Sequence, residues 1–146
     1  MSLENWLRNS WISEHETSVQ EIANLLAIAD RDIEKSQTPN LGPEWSFDIA
    51  YNSVLQSGTA ALAAAGYRAE RANKHKRVLD SLEFTVGLDQ TEVAVLDQFR
   101  RKRHTAVYEQ VGAVSDQEAN EMVALAKRVR VGVEAWLRKE HPGLIP

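Results

Sequence analysis

The sequence predicts an all-α protein, an up-and-down bundle of about five to six helices. Three observations carry that prediction. Pairs of the type Ser/Asp-x-x-Glu recur at Ser18/Glu21, Asp89/Glu92 and Ser115/Glu118. Such a pair marks a helix start, because the first side chain accepts a hydrogen bond from the backbone amide three residues on. Behind the starts, apolar residues return every three or four positions, the spacing that lines one face of a helix. No stretch alternates apolar and polar residues with period two over a convincing length.

The elements follow in order. Leu3 to Asn9 reads as a short helix carrying Trp6 and Leu7, and Ser10 to Thr17 as a loop. Ser18 opens a helix whose apolar positions are Ile22, Leu25, Leu26, Ala29 and Ile33. The stretch Gln37 to Pro43 breaks it. Pro43 suits a first helical turn, and the next helix runs from about Glu44 to Ala65, stopping at Gly66. Trp45, Ile49, Asn52 and Leu55 or Gln56 follow one mixed line down it. Its second half, Gly58 to Ala65, is nearly all small. Small residues let helices approach closely, so this helix is expected to be central. Asn73 is the expected cap of a helix through Val78, Leu79, Leu82 and Val86, closed by Gly87. Asp89 opens a helix toward Tyr108, and Ser115 opens the last one, which runs to about Glu140 before Pro142. The last helix's line of Ala119, Met122, Ala126, Val129, Val133 and Trp136 has the spacing of a bundle seam.

A length of 146 residues fits one domain with one core, with residues 1–17 as a short helix and loop and 18–140 as the bundle. Hydrophobic residues at 43% and charged residues at 26% exclude a disordered chain. The absence of cysteine excludes disulfides, a thiol nucleophile and cysteine-based zinc or iron–sulfur sites. The first residues carry no basic segment followed by an apolar run, and the most apolar stretch, Ala60 to Ala65, is far shorter than a membrane span. A cytoplasmic protein without membrane contact is expected. No HExxH, GxxxxGK[ST], GxGxxG or GxSxG pattern is present, so neither a metal nor a cofactor is expected. Asp30 and Asp32 flank Arg31 without a calcium-loop pattern, and the four tryptophans are scattered as core or interface residues.

The net charge of −4 argues against nucleic-acid binding by the molecule as a whole, but basic residues cluster locally. One group is Arg68, Arg71, Lys74, Lys76 and Arg77; a denser one is Arg100 to Arg103. Either is a solvated helix face or a phosphate-binding patch. On a helix, Val93, Leu96, Phe99, Val107 and Val111 share one arc, and Arg103 falls near its middle with Arg100 close to its edge. A cation on a core-facing stripe is costly unless it is paired or faces a cleft. Asp48 or Asp80 would serve as its partner. Arg100, His104 and Tyr108 form a neighbouring stripe where a phosphate would meet a guanidinium, an imidazole and a phenol. His15, His75 and His141 lie in a loop, a basic turn and near the C-terminus.

The segment Phe99 to Glu109 resembles the signature helix of HEPN domains. The Ala-rich run from Ile49 to Arg68, ending in Gly66-Tyr67, and the following His75, Val78, Leu79 and Leu82 are similar to the layout of that family, so the likeness covers about Ser18 to Leu137. The family motif is an arginine, four to six residues, then a histidine, often with a polar residue directly after the arginine. Arg103 matches the arginine and His104 the polar position, while Tyr108 stands where the histidine is expected. The resemblance implies a helical bundle that pairs with a second copy, and a role in RNA cleavage, in RNA or nucleotide binding, or beside a nucleotidyltransferase in toxin–antitoxin-like systems. Members without the histidine are non-catalytic relatives.

The departure matters chemically. Metal-free RNA cleavage needs a base and an acid; an imidazole near pKa ~6.5 serves both, whereas a phenol near ~10 is a poor base at neutral pH. A binding or regulatory module using Arg100 and Arg103 is therefore favoured. A metal-independent ribonuclease using Arg103, His104 and Tyr108 is the first alternative. The second is a purely structural homodimer in which Arg103 is an ion pair and the last helix, through Met122, Val129 and Trp136, forms the interface.

Overall fold

In a computed structural model covering residues 1–146, helix accounts for 69% of the chain and strand for 4%, so the all-α class holds. The helices are α1 (Leu3–Arg8), α2 (Val19–Ser36), α3 (Pro43–Ala64), α4 (Lys74–Ser81), α5 (Gln90–Tyr108) and α6 (Asp116–Glu140), with a 3₁₀ turn at Pro142–Leu144. None is long and apolar enough to cross a membrane.

Helix α3 is the central element and packs along α2 and α6. Its buried line is Phe47, Ala50, Tyr51 and Val54, continued by the small residues after Ser57. The Trp45–Ile49–Asn52 line lies beside that face, and Trp45 itself is 64% exposed. Small residues do bring a helix close. A Cβ on Gly58 would lie 2.8 Å from Cγ1 of Val78 in α4, nearer than real side chains approach. Helix α6 follows its expected seam through Ala119, Met122, Ala126, Val129 and Val133, but the seam ends on buried Leu137, with Trp136 only half-buried. Polar pairs register the layers: Asn52 donates to buried Asp32 at 2.6 Å, and Arg130 grips Asp30 at 2.8 Å.

The starts form as expected but differ in detail. Ser115 and Glu118 make the full reciprocal box. Ser18 and Asp89 each accept from the amide three residues on. The Glu21 carboxylate does not reach back; it takes Thr17 at 2.6 Å and His15 at 2.8 Å instead.

Three expectations are corrected. The Ser10–Thr17 loop contains a strand, β1 (Ile12–Glu14), paired antiparallel with β2 (Tyr67–Ala69). Three residues are too few for a periodic signal, and the pairing is long-range. The ribbon clamps α1 to the bundle, where Trp6 packs edge-on against Trp11 and Phe84. Helix α4 stops at Ser81, not at Val86. Ser81 and Thr85 turn their hydroxyls onto the carbonyls of Val78 and Ser81, local bonds that compete with continuing a helix. Asn73 does not cap α4 through its side chain, which donates to Glu70.

Candidate functional site

Helix α5 reaches the bundle through one narrow stripe. Leu96 enters the core, and Phe99 packs edge-on against Phe47 of α3 with ring centroids 5.4 Å apart. One turn further, Arg103 takes the same direction. Its Nε donates to Asp48 at 2.8 Å, and its guanidinium carbon lies 5.6 Å from the ring centre of Tyr51. Asp48 and Tyr51 lie on α3 beside Phe47. The expectation that Arg103 sits on the core-facing stripe with Asp48 as partner is thus met; Asp80 binds Lys76 instead. The pair is not sealed, since the two side chains keep 25% and 28% of their surface exposed. Burial alone would lower the Arg103 pKa, but the bond to Asp48 and its charge raise it further above its ordinary value.

Arg100 is anchored in the same way. Its Nε donates to Asp97 at 3.0 Å, and Asp97 also accepts from Arg101 at 2.7 Å. Burial pushes the Asp97 carboxyl up, but the bonds from Arg100 and Arg101 and the nearby Lys76 hold it below its usual range. Both arginines are therefore gripped at Nε, while their terminal nitrogens donate no hydrogen bond to the protein. A guanidinium fixed in this way is aimed, with its outer N–H groups left for a planar or tetrahedral anion.

Two further residues join this cluster. His75 of α4 places Nδ1 3.3 Å from the Tyr51 hydroxyl. Burial, then the charges of Arg103, Lys74 and Arg100, hold its pKa below the ordinary imidazole value. Burial pushes the Tyr51 phenol well above its usual value. Beside them a shallow groove of about 350 Å³ is lined by Arg71, Lys74, His75, Lys76 and Arg100. The two basic stretches, separate in sequence, thus meet at one surface.

The neighbouring stripe behaves differently. His104 and Tyr108 do stack, with centroids 5.0 Å apart, but both face solvent. His104 lies 3.5 Å from Glu109, and Tyr108 is 66% exposed. Arg100 leans back to Asp97 and does not face them. His104 and Tyr108 therefore face solvent, whereas Arg103 turns inward to Asp48. Val107 and Val111, placed by sequence on the apolar arc, are exposed as well, Val111 at 91%. The helix ends at Tyr108, and the following turn is tied to α3 by the Gly112 amide donating to Glu44.

Tyr51, His75 and Asp97 were not singled out by sequence reasoning. Only Asp97 had a local signal, its spacing of three and four to Arg100 and Arg101; Tyr51 and His75 are 24 residues apart and meet through the α3–α4 packing. No group of three or more His, Asp and Glu side chains is placed to hold a metal ion. No protein-family model matches the chain, and no curated protein sequence is detectably similar to it.

Proposed function

We propose that this chain is a HEPN-like helical module that binds RNA or nucleotide phosphates at the α4–α5 groove without cleaving them. Its chief support is the way Asp97 holds Arg100 at Nε, leaving its outer guanidinium nitrogens free beside Arg71, Lys74 and Lys76, with Arg103 held by Asp48 next to Tyr51 behind them. Arg100 is the contact residue, and Arg103 is a positioning and contact residue. Against cleavage by Arg103 and His104 stands the pairing of each: Arg103 is engaged by Asp48, and His104 leans on Glu109 in solvent.

The resemblance to HEPN domains adds two features, a second copy and a nucleotidyltransferase-type partner in a toxin–antitoxin-like or defence system. A surface suited to the second copy is the end of α5, where Val107, Tyr108 and Val111 are exposed, as is Trp45 on α3. The last helix is not free for that role, because Met122 and Val129 are inside the bundle and Trp136 packs on His141.

The test is binding of a fluorescein-labelled mixed RNA in chelator. Wild type is expected to bind, to lose affinity steeply with added salt, and to leave the RNA intact. Arg100→Ala is expected to weaken binding about tenfold, the scale of one charge-assisted contact of ~1.5 kcal/mol. Unchanged binding in that variant overturns the site. RNA cleavage that disappears in His104→Ala would favour the ribonuclease instead.

A further inference from the structure

A second cleft adjoins the α4–α5 groove, between the β1–β2 ribbon and helices α2, α3 and α4. It holds about 540 Å³, within the ~300–1,000 Å³ of ordinary small-ligand sites. Its apolar side is formed by the half-buried Leu25, Tyr67 and Ala69 over a floor of fully buried Leu62 and Val78. Its rim is cationic, with Arg68, Arg71 and Lys74, all exposed.

The charges around this cleft are unevenly matched. Two carboxylates line it, and both are already engaged. Glu21 accepts from Thr17 and pairs with His15, which together hold its pKa below the usual carboxylate range. Glu70 takes Arg77 and Asn73. Neither Arg68 nor Arg71 nor Lys74 makes an ion pair or a side-chain hydrogen bond, whereas Lys76 and Arg77 nearby are both paired. In a chain of net charge −4, three unpaired cations at the mouth of one apolar cleft form a local positive field beside a low-dielectric wall, where field lines concentrate. Such a site favours a ligand that covers the apolar wall and presents negative charge at the rim. Water hydrates the cations but leaves the apolar side uncovered and the charge unmatched, and a neutral apolar molecule meets only the first need.

We infer that this cleft binds a small amphipathic anion, with its apolar body against Leu25, Tyr67 and Ala69 and its carboxylate or phosphate at Arg68, Arg71 and Lys74. The site goes beyond the RNA- or nucleotide-binding groove and does not depend on it. Arg71 and Lys74 border both places, but Arg68 borders the cleft and Arg100 the groove.

Calorimetric titration of the full chain with octanoate and with adenosine monophosphate tests the inference. Octanol and adenosine serve as the uncharged counterparts. At least one anion is expected to bind with submillimolar Kd, at least tenfold tighter than its uncharged counterpart. Octanoate alone binding identifies an acyl carboxylate, the nucleotide alone a base with phosphate, and both the shared chemistry. Arg68→Glu and Arg71→Glu, at exposed positions, are expected to weaken binding at least tenfold with an unchanged helical circular dichroism spectrum, and Arg100→Ala to leave octanoate binding intact. The inference is overturned if neither anion binds, if the uncharged molecule binds equally well, or if both charge reversals leave the affinity unchanged. Loss of binding in Arg100→Ala alone would place the ligand in the α4–α5 groove and overturn it as well.

Discussion

Helices α5 and α6 are both long and open on the same kind of cap, yet they do opposite work. Helix α6 buries eight of its 25 residues and forms one wall of the core. Helix α5 buries only Leu96 among 19 and meets the bundle chiefly through Leu96, Phe99 and Arg103, with Val95 and Ala106 half-buried beside them and Lys102 paired with Glu118 of α6. In α6 the apolar line, the buried line and the packing line coincide, so burial drives its position. In α5 the line that begins as Leu96 and Phe99 continues as a cation, and past Arg103 only Ala106 still packs on the core while Val107 and Val111 are exposed. An arginine on a core stripe is stable here because it stops halfway: its guanidinium pairs with a carboxylate that water still reaches, which avoids most of the desolvation cost of a sealed pair. The helix that holds the fold is hydrophobic, and the helix that carries the candidate chemistry is attached by few contacts.

Four predictions sharpen that contrast. Met122→Ala in α6, which empties a fully buried position, is expected to lower stability by about 2–5 kcal/mol in urea unfolding. A loss below about 1 kcal/mol would mean that α6 is not a core wall. Arg103→Ala is expected to cost about 1–3 kcal/mol, between the values for surface and sealed pairs. Combined with Asp48→Asn, the losses should be clearly less than additive; simple additivity would dissolve the pair.

The third prediction concerns pH. His75 has its folded pKa lowered, chiefly by burial, whereas the unfolded chain takes up that proton near pH ~6.5. Above that value neither state is protonated and the group contributes nothing to the pH slope. As pH falls below it, the unfolded state gains the proton first, so stability declines until the folded pKa is passed. His75→Gln should therefore flatten the decline between about pH 7 and 5.5. An identical slope in the variant would mean that the Tyr51–His75 contact leaves the imidazole as free as in the unfolded chain. The smallest effect is expected for Val111→Ser, within about 0.5 kcal/mol by thermal melting. A loss above about 1 kcal/mol would show that another surface covers the end of α5 in solution.

The candidate site was legible in part. Helical spacing put Arg103 on the core-facing stripe and made Asp48 a possible partner, because both follow from the angular position of one residue on one helix. The same spacing carried the arc on to Val107 and Val111 and grouped His104 with Arg100. It failed there because periodicity says which residues share a face, not where along that face the neighbouring helix ends. Helix α3 begins at Pro43, opposite the last turns of α5, so Val107 and Val111, unlike Ala106, are left exposed.

The sequence by itself determined the helices, three of their caps, the Ala-rich centre of α3 and the seam of α6. These depend on interactions within a few residues and on the period of one helix. Only the tertiary structure decided that His15 ties down Glu21, that β1 pairs with β2, that His75 meets Tyr51, and that the basic stretches around Lys74 and Arg100 share one groove. Each of these joins positions on different elements, and a linear pattern does not encode the distance between two helices until the core between them has packed.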